Sequence, residues 1–170
     1  MTNPNIELGF PSLAEYYMML AHVVKSRANC LNRAVGAVLV TPDNNSVLAT
    51  GYNGSPKGQS HCITCRRREE GYGPGEGLHR SRAAHAEENV LIQSARYGRP
   101  TDNAILYVTA LPCEECSKLI INAGVKQVYY DQSYPNSEAA TMLTQAGVIV
   151  NQTDHVSISA RLKLFVEKSL

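Results

Sequence analysis

Apolar positions along the chain change period several times, and each change marks an element. Ser12 and Glu15, following Pro11, form a capping-box pattern. Leu13, Tyr16, Tyr17, Leu20, Val23 and Val24 then recur at helical spacing, which predicts a helix over 13–28 with those residues as its buried face. A continuous apolar run over 35–41 stops at Pro42-Asp43-Asn44-Asn45, a turn signal, and a second run over 47–52 predicts a hairpin. Helical periodicity returns over 81–97 and ends at Gly98, with Pro100 behind it. A strand over 104–109 follows. Pro112 suits the first turn of a helix running through residue 122, closed by Gly124. The pattern continues with a strand over 125–130, a helix over 137–145 closed by Gly147, a short strand over 148–151 and a last helix over 157–168. After the first hairpin, strands alternate with helices, the mark of an α/β fold with helices on a central sheet. There is no internal repeat and no heptad pattern.

The segment 54–80 breaks this rhythm. It holds six of the twelve glycines, with Pro56 and Pro74, and few aliphatic side chains. Such a stretch buries too little to order itself, so it is either floppy or stapled by something other than a core. Composition adds bounds. A chain of 170 residues is expected to form one domain over 1–170. Sixteen Lys and Arg against fifteen Asp and Glu leave +1, which argues against a general nucleic-acid coat. The apolar runs fall far short of the ~20 residues a membrane span needs. The first residues lack the basic start of a signal peptide, so a cytoplasmic location is expected.

Cysteine usage points to chemistry. Five is odd, and a reducing compartment keeps thiols free. Two pairs at two-residue spacing, Cys62/Cys65 and Cys113/Cys116, then suggest metal. Pro112-Cys113-Glu114-Glu115-Cys116 opens a helix directly after a strand, so both sulfurs face one side. With His85 they make three ligands of a tetrahedral zinc site whose fourth position is open to water, the catalytic type. Glu87 lies two residues beyond His85, badly placed as a ligand but able to exchange a proton with that water. His-x-Glu with Pro-Cys-x-x-Cys is the signature of zinc nucleobase deaminases. A second, structural zinc is expected in the insertion, on Cys30, Cys62, Cys65 and His79, with His61 as the other choice for the histidine. The run Arg66-Arg67-Arg68-Glu69-Glu70 has no aromatic interleaving and reads as a solvated loop rather than a nucleic-acid track.

Across about residues 13–151 the chain resembles the deoxycytidylate (dCMP) deaminase family of the cytidine-deaminase-like superfamily. The resemblance rests on Ser26-Arg27, on Cys30 followed by Val35-Gly36-Ala37-Val38, and on Gly51-Tyr52-Asn53-Gly54-Ser55-Pro56. It extends through His85-Ala86-Glu87-Glu88-Asn89, the segment 109–116 and the Tyr134 loop. It implies a three-layer α/β/α fold with a mixed sheet of about five strands. It also implies zinc on His85, Cys113 and Cys116, with Glu87 as proton shuttle. Asn53 would meet the deoxyribose, and Ser26 and Arg27 would hold the 5′-phosphate with Tyr134 nearby. Relatives of this kind are often homohexamers activated by dCTP with Mg²⁺ and inhibited by dTTP, an effector site that would fall on Asn53, Gly54 and Arg96. Two departures stand out. Val90 replaces an expected alanine, and His79 stands where several relatives have cysteine. The implied reaction is hydrolysis of dCMP to dUMP and ammonia, supplying thymidylate synthesis. Its rivals are a deaminase of another cytosine nucleotide or nucleoside, a tRNA deaminase, and a non-catalytic zinc module.

Overall fold

The computed structural model describes residues 9–43, 46–73, 76–133 and 138–169. Five strands form one mixed sheet in the order β2-β1-β3-β4-β5. They are β1 (Gly36–Val40), β2 (Val47–Tyr52), β3 (Ile105–Ala110), β4 (Gln127–Gln132) and β5 (Ile149–Gln152). The first hairpin is antiparallel, β1 is antiparallel to β3, and β3, β4 and β5 run parallel. Every residue of β1 is buried, because helices cover both faces of the sheet there. Ala37 and Leu39 belong to one core, and Val38 and Val40 to the other. This strict alternation explains why a strand buried on both sides reads as an unbroken apolar run.

One face carries α1 (Leu13–Lys25) and the C-terminal α6 (His155–Ser169), packed over Val38, Val40 and Tyr107. The other carries α3 (Ala86–Arg96), α4 (Glu114–Asn122) and α5 (Ala139–Gln145), packed over Ala37, Leu39, Leu106 and Val108. A four-residue helix, α2 (Arg66–Glu69), and a 3₁₀ turn (Leu78–Arg80) lie in the insertion. This is the expected three-layer arrangement.

The capping box of α1 forms as expected: Ser12 N donates to Glu15 Oε2 at 2.7 Å, and Glu15 N to Ser12 Oγ at 3.2 Å. Its buried face differs from the expectation. Tyr17, Met18 and Ala21 are buried, whereas Leu13, Tyr16 and Val23 are about half exposed. The helix was expected to begin at 81 before the His-Ala-Glu segment, but α3 starts at Ala86. Ala84 pairs instead with Gly54 in an isolated bridge, and His85 takes the N-cap position. Likewise α4 starts at Glu114 with Cys113 as N-cap, and β4 runs two residues later than expected. Arg66–Glu69 is helical rather than a loop, and Arg67 is buried. At its C-terminal end the charges pair: Glu70 bonds both Arg66 and, from the 3₁₀ turn, Arg80. Among the described residues, no helix is long and apolar enough to cross a membrane.

Candidate active site

The parallel strands deliver the chemistry to their C-terminal ends, as open α/β sheets do. The chain leaving β3 runs through Leu111 and Pro112 to Cys113. Cys113 caps α4 with extended backbone angles, and Cys116 follows within the first turn. Facing it, the bridge of Gly54 to Ala84 sets the backbone just before His85, with bonds of 3.1 and 2.9 Å. His85 N then donates to Glu88 Oε2 at 2.6 Å, and Asn89 Nδ2 donates to Tyr52 O at 2.8 Å. Helix α3 is thereby pinned to β2 on the side that carries the histidine.

His85 Nδ1 lies 3.3 Å from Cys116 Sγ and 3.5 Å from Cys113 Sγ. All three ligand atoms are within 4.8 Å of one another, the one such group of metal-ligating side chains among the described residues. Tetrahedral zinc with ordinary Zn–N and Zn–S bonds separates such atoms by about 3.6 Å. The donors and their spacing therefore fit zinc. The electrostatics prepare a thiolate. Cys113 is lowered to about 4, first by the hydrogen bond from Cys116 and then by His85. The Cys116 thiol is pushed up, first by its bond to Cys113 and then by burial. His85 is raised to about 9, first by its bond to Cys113.

Glu87, 5 % exposed, stands beside this group, and burial lifts its carboxyl to about 7. A carboxyl near neutrality can both take and return a proton. Glu87, His85 and Cys113 line a cavity of about 390 Å³, a size suited to a nucleotide-scale ligand. Its walls include Asn53, Tyr72, Ser81 and three arginines, Arg33, Arg67 and Arg68.

Several residues expected at the site are elsewhere. Ser26 and Arg27 do not line this cavity. The chain turns at the C-terminus of α1, leaving both exposed, with Ser26 Oγ bonded to Val23 O at 2.7 Å. Asn53 does line the cavity, but its amide is engaged by backbone. It accepts from Val35 N at 2.8 Å and donates to Arg33 O at 2.7 Å. Tyr134 lies outside the described residues. Arg96 lies beside the exposed Tyr97, 5.9 Å from its ring centroid.

The second metal set is only partly gathered. Cys30, Cys62 and Cys65 line one small cavity of about 30 Å³, and Ser55 Oγ is 3.8 Å from Cys62 Sγ. These sulfurs do not form a group within 4.8 Å, and neither His79 nor His61 joins that cavity. His79 instead meets the edge of Tyr72, with ring centroids 6.2 Å apart.

Sequence reasoning missed Arg33 and Arg67. Arg67 is 7 % exposed, and its donors go to carbonyls, Nε to Glu76 O at 2.7 Å and an Nη to Gly73 O at 3.1 Å. Its sequence neighbourhood is so charged that a buried member leaves no local signal.

Residues 11–132 match the family model described as the cytidine and deoxycytidylate deaminase zinc-binding region. The chain is 41% identical over 145 residues to deoxycytidylate deaminase of Schizosaccharomyces pombe, covering 84% of this chain and 44% of that protein. It is 39% identical over 143 residues to ComE operon protein 2 of Bacillus subtilis, covering 82% and 70%. The chain thus spans less than half the length of the fission-yeast relative. Among solved structures it resembles dCMP deaminase from the cyanophage S-TIM5 in complex with dCMP and dUMP, at 34% identity and a TM-score of 0.70, covering 90% of this chain and 100% of that one.

Proposed function

Because the chain belongs to the cytidine and deoxycytidylate deaminase family, we propose that it hydrolyses dCMP to dUMP and ammonia. The observation that carries this reading is the lining of one cavity, which joins His85, Cys113 and the buried Glu87 to three arginines. Bound zinc would supply a Lewis acid that makes water a nucleophile at neutral pH. His85, Cys113 and Cys116 would hold it, and the thiolate character of Cys113 suits that role. Glu87 does the proton work. Its carboxylate takes the two protons of the attacking water in turn: the first passes to N3 of the cytosine ring as the water oxygen bonds to C4, and the second to the amine as the C4–N bond breaks, so that ammonia leaves. The relative solved with dCMP and dUMP supports the same substrate.

The wall argues for a nucleotide over a nucleoside. A buried guanidinium is costly unless paired. Among the described residues Arg67 forms no salt bridge, only bonds to neutral carbonyls. A 5′-phosphate entering the cavity provides the missing charge, and Arg suits it because its planar fork matches phosphate oxygens. Arg33, Arg67 and Arg68 therefore replace Ser26 and Arg27 as the phosphate side of this reading.

A structural zinc on Cys30, Cys62 and Cys65 is the corresponding reading of the insertion, and metal analysis giving two zinc per chain tests it. Control by dCTP with Mg²⁺ and by dTTP, acting near Asn53, Gly54 and Arg96 in a hexamer, belongs to the same proposal. The experiment is ammonia release from dCMP, dCTP, CMP and deoxycytidine, with and without both effectors, alongside the sedimentation mass. Preference for dCMP supports the reading, and equal turnover of deoxycytidine overturns the phosphate assignment.

A further inference from the structure

We propose that Asp131 is a positioning residue for the active site, acting from the opposite face of the sheet through Gln132. Asp131 is the penultimate residue of β4 and is 1 % exposed. Its carboxylate lies between two imidazoles. His22 Nε2, from α1, is 2.9 Å from Oδ2, and His155 Nδ1, from α6, is 2.8 Å from Oδ2 and 3.0 Å from Oδ1. Gln152 Nε2 of β5 donates to the Asp131 carbonyl at 3.2 Å. Burial lowers the His22 pKa, opposed by the bond to Asp131. A buried carboxylate persists only where such donors satisfy it. Three elements, α1, β5 and α6, are thus tied to one point on β4.

That point adjoins the catalytic cavity. Side chains alternate along a strand, so Gln132 faces the other side of the sheet. Gln132 Oε1 accepts from an Nη of Arg33 at 2.9 Å, and Arg33 lines the cavity. The Gln132 carbonyl accepts from Leu111 N at 2.8 Å, two residues before Cys113. Neither Asp131 nor its two histidines line the cavity, and the deamination chemistry has no use for them. The triad fixes the end of β4, and Gln132 passes that fixation to Arg33 and to the loop that carries the first thiolate.

The kinetic arm of the test rests on the dCMP reading, whereas the exchange arm does not. Asp131→Asn, in the zinc-loaded full chain, should raise KM for dCMP roughly tenfold while kcat changes by less than about threefold. That is the size of effect expected from weakening one charge-assisted hydrogen bond at Arg33. Adding Asp131→Asn to Gln132→Ala should leave KM no worse than Gln132→Ala alone, because both act along one path. Amide exchange at Leu111, read by NMR, should quicken roughly tenfold with the exchange at Val38 unchanged. Should Asp131→Asn fail to fold, His155→Gln at the half-exposed partner should move the same readouts in the same direction. Unchanged Leu111 protection overturns the proposal, as does equal acceleration at all amides, which marks a purely structural role. If the parent does not turn over dCMP, the functional reading falls and the exchange result alone decides the positioning role.

Discussion

Gly51→Ala tests whether the metal site depends on how closely α3 lies against β2. Gly51 sits in β2 with α3 directly above it. A Cβ there would fall on the Ala86 carbonyl oxygen, 2.9 Å from Val90 N and 3.0 Å from Val90 Cγ1. Two of those atoms are backbone, so the helix itself must retreat, by about 1 Å to reach ordinary contact. Val90, larger than the alanine of the resembling family, is fully buried there and fits because Gly51 has no side chain. Overpacking of this kind costs about 2 kcal/mol, roughly 4–8 °C of Tm for a chain of this size. Ala86 follows His85 and precedes Glu87, so the same shift moves both away from Cys113 and Cys116. A displacement of about 1 Å at reacting groups costs roughly a hundredfold in kcat. Gly147→Ala is the control. Its φ of +80° penalises a side chain, but nothing lies within 4 Å of the added Cβ. It should lose about 1 kcal/mol and keep full activity. Thermal melts, zinc content and steady-state ammonia release on both variants decide the matter. A Gly51→Ala protein with parental Tm and kcat would show that α3 does not depend on this close approach to β2.

Two other outcomes follow from charged groups. Arg67→Met should raise KM for dCMP at least tenfold while leaving deoxycytidine turnover unchanged, and equal losses on both substrates contradict a phosphate role. Glu15 is held down to about 2, first by the bond from Ser157 Oγ at 2.6 Å; burial opposes this, and the bonds from Ser12 and Arg161 add to it. A lowered carboxyl stabilises the fold fully above its unfolded value near 4.5 and loses that contribution as pH falls toward 2. After solvent screening, this amounts to about 1 kcal/mol. Urea denaturation at pH 6 and pH 3 should therefore show the parent losing about 0.6 kcal/mol more than Glu15→Gln, since part of the contribution survives at pH 3.

Much of the fold is legible because it rests on local rules. The run over 35–41 reads as a strand because β1 is buried on both faces, and the Ser12 capping box starts α1 at the expected residue. Legibility fails where tertiary pairing overrides periodicity. Residues 81–85 carry a helical pattern, yet the Gly54–Ala84 bridge draws them into extended chain and makes His85 a cap. The His85, Cys113 and Cys116 cluster was readable because a zinc site demands specific residues at specific spacing. The cavity wall was not. Arg67 sits among charges that usually face water, and only the fold of the insertion turns it inward to the carbonyls of Gly73 and Glu76. Asp131 was equally silent, since its two histidine partners lie 109 and 24 residues away along the chain.

In the proposed reaction Glu87 moves the protons of a zinc-assisted deamination, with the metal held by His85, Cys113 and Cys116. Zinc content and ammonia release from dCMP, measured for the parent chain and for Glu87→Gln, decide this role. The amide keeps the volume and the polar contacts of the carboxyl but cannot carry a proton. The variant should keep the parental zinc content and melting profile and lose about a thousandfold in kcat. A Glu87→Gln protein that binds zinc and deaminates dCMP at the parental rate would contradict that role.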